Sequence, residues 1–238
     1  MSTSVTSTLA LAPAFSRDQS GNNFIAVVMG RKRQGKTSYI KQFIRSHKVK
    51  RVVIFSDFRN DYGDLVKLSV SSFEQFQLLS MNGFWQTPEF NLRLRFFNLK
   101  LYNFAAAILQ HVKHYLLVLD EIDVYCDARY MPNHLEALVL GSGNNSIDIF
   151  AAAKRPHMTP RLLTSQADDF IIFNTRESRD IAYITEWVGD TPPKSYKSLA
   201  RGQFLHYSGE ESWKEGRLAL PPQAAARSKS LFPSEALQ

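Results

Sequence analysis

The sequence predicts an α/β fold in which a mostly parallel central sheet is flanked by helices. Short apolar runs of the kind found in buried strands alternate with amphipathic helical segments between residues 22 and 215. Strands that are separated by helices favour βαβ units, which place parallel strands in one sheet with helices on both faces. Ligands bind such sheets at the carboxyl ends of the strands, so the residues that follow the strands are the first candidates for a site.

The strands are predicted from apolar and β-branched residues, and the helices from apolar residues that recur every three or four positions. The predicted strands cover 24–29, 52–55, 92–97, 115–119, 147–152, 170–173 and, at the edge of the sheet, 203–207. The predicted helices follow residue 35 and cover 73–79, 101–112, 135–140 and 181–188. Ser71 or Ser72 is the predicted N-cap of the second helix.

Length and composition are those of one globular domain. A chain of 238 residues, with 44% hydrophobic and 21% charged residues, can bury a substantial core. No stretch approaches the roughly 18–20 apolar residues of a membrane helix. We expect the domain to cover 22–215, between a loose leader over 1–21 and a flexible tail or docking arm over 216–238. The lone Cys126 excludes an internal disulfide and a cysteine-built zinc site, and it fits a protein that works or assembles in the cytosol.

The net charge of +7 indicates an anionic partner, and its distribution is more informative than its sum. Nine Lys and Arg residues fall between positions 31 and 51 without a single acid. Such a run raises the local potential toward phosphates. Two interpretations stay open: a solvated helix face beside a nucleotide site, or a contact with nucleic acid.

A phosphate-binding loop is the most specific motif in the chain. The eight residues after the first strand match the pattern G-x-x-x-x-G-K-[ST] without a gap: Gly30, Arg31, Lys32, Arg33, Gln34, Gly35, Lys36 and Thr37. The glycines let successive backbone N–H groups turn toward phosphate oxygens, and the N-terminus of the following helix adds partial positive charge. We expect this P-loop and Ser38 to bind ATP, with Lys36 on the β- and γ-phosphates and Thr37 as a ligand of Mg²⁺.

A second carboxylate site follows the apolar strand 115–119. Asp120 is predicted to hold the Mg²⁺ ion, and Glu121 to polarise the water that attacks the γ-phosphate. Asp123 is a weaker candidate for the base because it lies beyond the strand end. An Asp–Glu pair in this position favours hydrolysis of ATP over phosphoryl transfer to a metabolite; the alternative is that both acids are simply solvated.

The strand over 147–152 runs into Lys154 and Arg155. Lys154 is placed to touch the γ-phosphate or the attacking water, which is the role of a sensor residue, and we expect both residues to be catalytic. The candidates for an arginine finger that acts across a subunit boundary are Arg155, Arg161 and Arg176. The alternative for each arginine is an ordinary ion pair with Asp168 or Asp169.

The order and spacing of these motifs resemble the FtsK/HerA superfamily of DNA-pumping ATPases. The resemblance rests on residues 30–38, 116–121 and 150–160, and it extends over about 22–190. It implies a RecA/FtsK-like P-loop NTPase of the additional-strand type, which uses a catalytic glutamate. Within the superfamily, a compact chain without an anchor helix resembles the genome-packaging ATPases of tailless, membrane-containing icosahedral viruses.

This resemblance implies a motor that uses ATP and Mg²⁺ to move double-stranded DNA, independently of sequence, through a homo-hexameric ring. It also implies a capsid or membrane-vertex docking protein, no membrane span, and a location in the host cytoplasm and the virion. Arg59 and Arg129 are hypotheses for pore-loop residues. Two departures affect the site: members commonly have glutamine where Lys154 stands, and the loop 141–146 lacks an arginine that many relatives have.

Three other functions stay open from the sequence. An assembly or export ATPase, similar to the zonula-occludens-toxin-like proteins, would move protein instead of DNA, but such proteins usually carry a transmembrane helix. A small P-loop kinase would need an acceptor pocket and lid arginines, and the pair of Asp120 and Glu121 disfavours it. A non-catalytic nucleotide switch would not require Glu121. The response of ATP hydrolysis to DNA, to protein or to a metabolite distinguishes these functions.

Overall fold

The central element of the structure is a nine-stranded sheet. The computed structural model describes residues 23–56, 59–189, 192–208 and 212–220. The strands in these ranges are β1 Ile25–Met29, β2 Arg51–Phe55, β3 Leu68–Val70, β4 Phe90–Leu94, β5 Tyr115–Leu119, β6 Ile147–Ala153, β7 Asp169–Phe173, β8 Gln203–Ser208 and β9 Ser212–Arg217. Their spatial order is β3-β4-β2-β5-β6-β1-β7-β8-β9, parallel from β3 to β7 and antiparallel from β7 to β9. The predicted α/β fold with a mostly parallel sheet is confirmed.

Helices cover both faces of this sheet. They are α1 Lys36–Ser46, α2 Phe73–Met81, α3 Lys100–Leu109, α4 Asn133–Leu140, α5 Arg161–Ser165 and α6 Ser178–Val188. The apolar stripe of α1, which includes Ile40 and Phe43, packs on one face against Val118 and Phe150. The opposite face is covered by α3 and α4 in one cluster and by α6 in another. No helix in the ranges that the structure describes is long and apolar enough to cross a lipid bilayer.

The differences from the predicted elements lie at the edges of the sheet. The strand predicted over 92–97 is β4, and β3 and β9 are not predicted at all. The prediction that 203–207 forms the sheet edge is wrong, because β9 pairs with β8 and takes the edge position. The predicted domain boundary after residue 215 falls inside β9, and Leu218 beyond it is buried.

Because β1 to β7 are parallel, their carboxyl ends lie along one border of the sheet and their amino ends along the opposite border. These two borders run across the strand ends and are distinct from the edge strands β3 and β9. The register pairs Met29 with Ala153 and Phe55 with Leu119, so the ends of β1 and β6, and those of β2 and β5, lie side by side. The residues that follow these strands share what we call the carboxyl edge, where ligands bind in such folds. The residues that precede the same strands share the opposite edge, the amino edge.

Candidate nucleotide site

The loop between β1 and α1 has the backbone conformation that a phosphate-binding loop needs. Gly30 and Gly35 have φ angles of 135° and 126°, which residues with a Cβ rarely adopt, and Arg33 lies in the left-handed region with φ 64°. A Cβ at Gly30 would lie 2.8 Å from the Cβ of Phe173, because the end of β7 packs directly against the loop. Gly30 is therefore required both by its backbone angles and by this close approach.

The P-loop holds the Lys36 ammonium at its centre. Nζ of Lys36 donates hydrogen bonds to the carbonyl oxygens of Gly30 and Arg31, at 2.6 and 3.1 Å. Burial lowers the pKa of Lys36 to about 8, against the opposing effect of the negative charges of Asp120 and Asp123. The helix α1 begins here without a side-chain cap and without an acid in its first turn, which leaves its positive end available to an anion. The arrangement favours a ligand that brings negative charge.

Asp120 and Glu121 follow β5 at the carboxyl edge. Asp120 is buried, and its backbone N–H donates to the carbonyl oxygen of Phe55 at 3.3 Å. Glu121 has φ 49° and ψ 46°, a left-handed conformation that costs a residue with a Cβ about 1–2 kcal/mol. Six other non-glycine residues in the described ranges also have a positive φ, so this conformation does not by itself mark the predicted catalytic base.

The predicted base and the predicted sensor form an ion pair. Nζ of Lys154 lies 2.6 Å from Oε2 of Glu121, and both side chains are partly buried. The backbone N–H of Lys154 also donates to Oδ1 of Asp123, at 3.3 Å. Because β5 and β6 are parallel neighbours, these contacts join the ends of two adjacent strands. Glu121 is thus held in position by a cation that the sequence assigns to the same reaction.

A cavity of about 900 Å³ contains most of the predicted site. The predicted residues that line it are Lys32, Arg33, Gly35, Lys36, Thr37, Ser38, Asp120, Glu121 and Lys154. Arg155 lies outside this wall, in a neighbouring cavity of about 410 Å³ that it shares with Arg31 and Arg176. The size of the main cavity is that of a small-molecule or cofactor site.

Six further residues of the cavity wall are not predicted as nucleotide contacts: Lys41, Arg59, Asp61, Ala152, Arg201 and Leu220. Arg59 is expected in a pore loop but lies in this cavity; its position after β2, at the carboxyl edge, is the signal that places it here. Nothing in the local sequence indicates that Arg201 and Leu220, on either side of the β8–β9 hairpin, reach the site. Arg129 is exposed, and its N–H donates to Oδ1 of Asp127 at 2.8 Å.

The β8–β9 hairpin supports the P-loop from outside. The N–H of Gly202 donates to the carbonyl oxygen of Gln34 at 2.9 Å, and the N–H of Leu218 donates to that of Gly202 at 2.8 Å. A Cβ at Gly35 would lie 3.1 Å from Cδ1 of Leu218, and Leu220 lies almost as close. The segment that the sequence assigns to a flexible tail therefore begins by packing against the site.

The candidate arginine fingers lie outside the main cavity. Arg155 and Arg176 are exposed, and Arg161 forms an exposed ion pair with Glu186 at 3.3 Å. The alternative pairing of Arg161 with Asp168 or Asp169 is wrong. Those two aspartates have other partners, the N–H of Ile25 at 2.7 Å and Nε2 of His206 at 2.5 Å.

Thr37 and Asp120, the predicted Mg²⁺ ligands, line the main cavity together. Within the described ranges, no cluster of three or more His, Cys, Asp or Glu side chains is arranged to hold a metal ion on its own. Mg²⁺ is usually bound by one or two protein oxygens, with substrate phosphates and waters completing its shell. One hydroxyl and one carboxylate beside a phosphate loop therefore fit a Mg²⁺ ion that binds with a nucleotide.

Comparison with known proteins bears on the fold. No family model and no curated protein matches the sequence. Among solved structures, the genome packaging NTPase B204 of Sulfolobus turreted icosahedral virus 2, in complex with sulfate, has a TM-score of 0.66 and 16% identity over 84% of this chain and 98% of B204. VirB4 of Thermoanaerobacter pseudethanolicus has a TM-score of 0.60 and 9% identity over 84% of this chain and 90% of VirB4. This chain therefore has the fold of these two proteins, which is consistent with the resemblance in motif order.

Proposed function

We propose that the protein is an ATPase whose hydrolysis of ATP drives double-stranded DNA through a ring during the packaging of a viral genome. The observation that carries the proposal is the meeting, in one cavity, of Lys36 and Thr37 of the P-loop, the buried Asp120 and the ion pair of Glu121 with Lys154. A non-catalytic nucleotide switch would not need Glu121. The positioned carboxylate favours an enzyme that hydrolyses what it binds.

The P-loop supports the binding of a triphosphate. Lys36 is bonded to two neutral carbonyl oxygens, and charged phosphate oxygens are stronger partners for an ammonium group. We expect Lys36 to exchange these carbonyls for the β- and γ-phosphates of ATP. Thr37 and Asp120 would hold Mg²⁺, which when bound neutralises charge on the phosphates.

Glu121 is the group best placed to accept a proton from the attacking water. Its carboxylate faces the same cavity as the P-loop, at the end of the strand beside β6. Lys154 keeps this carboxylate oriented and brings a positive charge toward the γ-phosphate position. Because negative charge develops on the phosphoryl group and the leaving oxygen during transfer, a fixed cation beside them stabilises the transition state.

The DNA-moving part of the proposal is supported by the shared fold. B204 is described as a genome packaging NTPase and a DNA-packaging ATPase, and this chain has its fold over 98% of the length of B204. By analogy, we propose sequence-independent duplex DNA as the partner, a homo-hexameric ring, a capsid or membrane-vertex docking protein, and a location in the host cytoplasm and the virion. In such a ring, Arg155 or Arg176, which are exposed just outside the chain's own cavity, would act in a neighbouring subunit's site.

The test is ATP hydrolysis by the purified protein, with and without double-stranded DNA, for the wild type and two variants. We expect turnover to rise with DNA and to fall by about 10²–10⁴-fold in Glu121→Gln, the range that a general base contributes. Nucleotide binding should persist in this variant because Lys36 and the P-loop are unchanged. Glu136→Gln makes the same change at an exposed position on α4, and it should keep wild-type turnover.

Three other outcomes would change the proposal. Wild-type turnover in Glu121→Gln would overturn the assignment of the base. Turnover that is indifferent to DNA but is lost in Glu121→Gln would keep the ATPase and remove DNA as the stimulating partner. Consumption of ATP only in the presence of a metabolite would indicate a kinase.

A further inference from the structure

The basic segment over 31–51 is divided between the two edges of the sheet. Its first part, up to Lys41, lines the nucleotide cavity and the smaller cavity beside it. Lys41 and Arg45, along α1, both pair with Asp64. The last three cations precede or begin β2 at the amino edge: Lys48, Lys50 and Arg51. The nucleotide site therefore accounts for only part of this segment.

Two cavities of about 500 and 510 Å³ adjoin at the amino edge, where they share Arg51. We call them together the amino-edge groove. Its basic side chains come from the loops before β2 and β5, which are neighbouring strands. Besides Arg51, they are His47, Lys48, Lys50, His111, Lys113 and His114, all exposed.

Acidic side chains do not neutralise the groove. Asp148 is the one acid among its described lining residues; it is buried and accepts a hydrogen bond from the N–H of Phe24 at 3.3 Å. Lys50 pairs at the surface with Glu89, at 3.1 Å. The groove therefore presents an excess of positive charge to solvent at the amino edge, opposite to the carboxyl edge that holds the nucleotide cavity.

Arg51, which lines both cavities, is held by its neighbours. The guanidinium of Arg51 is fixed by a hydrogen bond from Nη2 to the carbonyl oxygen of Trp85, at 2.8 Å, and by the ring of Phe90, 4.8 Å from its Cζ. Nε of Arg51 and the indole Nε1 of Trp85 are buried and have no hydrogen-bond partner in the part of the chain that the structure describes. The indole nitrogens of Trp187 and Trp213, outside the groove, likewise have none, so these atoms do not by themselves mark a ligand site. What the contacts of Arg51 provide is a guanidinium group fixed beside the exposed lysines.

We propose that the amino-edge groove binds the phosphate backbone of duplex DNA. The proposal rests on the proposed function and adds to it the surface that holds the DNA. Sequence-independent binding uses Lys and Arg contacts to phosphates, and the groove offers these cations around a rigid, partly buried Arg51. Because the groove and the nucleotide cavity lie at opposite edges of the sheet, DNA and ATP bind without competing for one site.

The composition of the groove favours DNA over an acidic protein. Protein–protein interfaces are depleted in lysine and have an apolar centre, whereas most of the exposed lining side chains here are lysines and histidines. The most exposed large apolar side chains of the described ranges, Met81 and Phe97, do not line the groove. A polyanion with regularly spaced charges needs no apolar centre for binding.

The test is the binding of a fluorescent duplex DNA of arbitrary sequence, without nucleotide, over a range of salt concentrations. Lys48→Gln/Lys113→Gln removes two exposed cations of the groove, and Lys100→Gln/Lys197→Gln removes two exposed lysines elsewhere as the control. Each phosphate contact contributes about −0.9 to the slope of log affinity against log salt. We expect the groove variant to bind about fivefold or more weakly near 0.1 M salt, with a slope smaller in magnitude by about 2, and the control to match the wild type.

ATP hydrolysis without DNA is the second readout, and it separates this proposal from the proposed function. Neither Lys48 nor Lys113 lines the nucleotide cavity, so the groove variant should keep its basal turnover. Equal affinities and slopes for the wild type, the groove variant and the control would place the DNA elsewhere and overturn the proposal, while the ATPase assignment would stand. A wild type that binds poly-glutamate through these lysines, but no duplex DNA, would overturn it in favour of an acidic protein.

Discussion

The carboxyl and amino edges of the sheet hold their cations in different settings. At the carboxyl edge, Lys36 and Lys154 are partly buried, and each is bonded to a defined acceptor, backbone carbonyls in one case and Glu121 in the other. At the amino edge, Lys48 and Lys113 are exposed at the rim of an open groove. A chemical step needs groups fixed in one geometry, whereas a repetitive polyanion needs only charge along a surface. Under the two proposals above, one basic segment contacts both nucleotide and DNA phosphates, because the fold places its two ends at opposite edges.

The edges also differ in how strictly the backbone is constrained. At the amino edge, Lys48, His114 and Ser146 have φ angles of 50°, 57° and 53°, in the left-handed region that residues with a Cβ enter at modest cost. At the carboxyl edge, Gly30 has φ 135°, and a Cβ there would collide with Phe173. Of these four positions, only Gly30 requires glycine.

The largest effect in this comparison is expected for Gly30→Ala. We predict a loss of about 3 kcal/mol in the free energy of unfolding, because the methyl group adds both backbone strain and a collision. Gly189→Ala is the matched control: its φ is 65° and nothing lies within 4 Å of its Cβ position, so about 1 kcal/mol is expected. Urea denaturation measures both values. Equal, small losses would mean that the P-loop relaxes freely and that its backbone is no more constrained than an open turn.

Which residues line the cavity at the carboxyl edge is largely predictable from the sequence because the motifs are local. Gly30, Lys36 and Thr37 belong to one short motif, and Asp120 and Glu121 directly follow a continuous apolar strand. Each side chain is placed by the element beside it in the sequence, and the parallel sheet then brings the elements together. The ion pair of Glu121 with Lys154 is not predictable in this way, because it depends on the side-by-side packing of two strands.

The β8–β9 hairpin and the amino-edge groove depend on contacts between residues that are distant in the sequence, and no local sequence pattern predicts such contacts. The strand β3 has only three residues, and β9, with the sequence SWKEGR, has no apolar run and no apolar alternation. Both strands exist because a neighbouring strand supplies hydrogen bonds. Leu218 and Leu220, which follow β9, lie beside Gly35 in the folded structure although they are far from it in the sequence. The amino-edge groove likewise combines residues from separate loops, which the sheet alone makes neighbours.

A smaller effect is expected when one lysine is exchanged at each edge. Lys154→Gln removes the partner of Glu121, and we expect ATP turnover to fall about tenfold because a fixed cation beside the γ-phosphate is lost. The free energy of unfolding should fall by no more than about 1 kcal/mol, since the pair is partly exposed. Lys113→Gln, the matched change at the amino edge, should leave turnover without DNA unchanged. Steady-state kinetics and denaturation measure the two quantities.

Lys154→Arg tests whether turnover depends on the positive charge or on the shape of the lysine side chain, because arginine keeps the charge on a side chain of different geometry. It should retain more turnover than Lys154→Gln. If Lys154→Gln lost stability and kept full turnover, the ion pair would be structural only. The carboxyl edge would then resemble the amino edge, where no single cation is expected to be indispensable.

The smallest predicted effect is the uptake of protons by Lys36, at the carboxyl edge, when nucleotide binds. Burial holds the pKa of Lys36 at about 8 in the nucleotide-free protein. The phosphates of a nucleotide favour the charged ammonium and raise this pKa, so binding draws a proton from solution wherever Lys36 was neutral beforehand. At pH 8 about half of the Lys36 side chains are neutral, and nucleotide binding should therefore take up about half a proton.

On account of Lys36 alone, affinity for nucleotide should fall about twofold between pH 6.5 and pH 8, and more steeply at higher pH. Calorimetry in two buffers with different ionisation enthalpies measures the proton uptake. Lys36→Arg is the control, because a guanidinium group stays charged over this range. Protons that the nucleotide itself gains or loses are common to both proteins, so the difference in uptake belongs to Lys36. Equal proton uptake by the wild type and Lys36→Arg would mean that Lys36 is fully charged before nucleotide binds. Burial would then not lower the pKa of Lys36, and in this respect Lys36 would not differ from the exposed lysines of the amino edge.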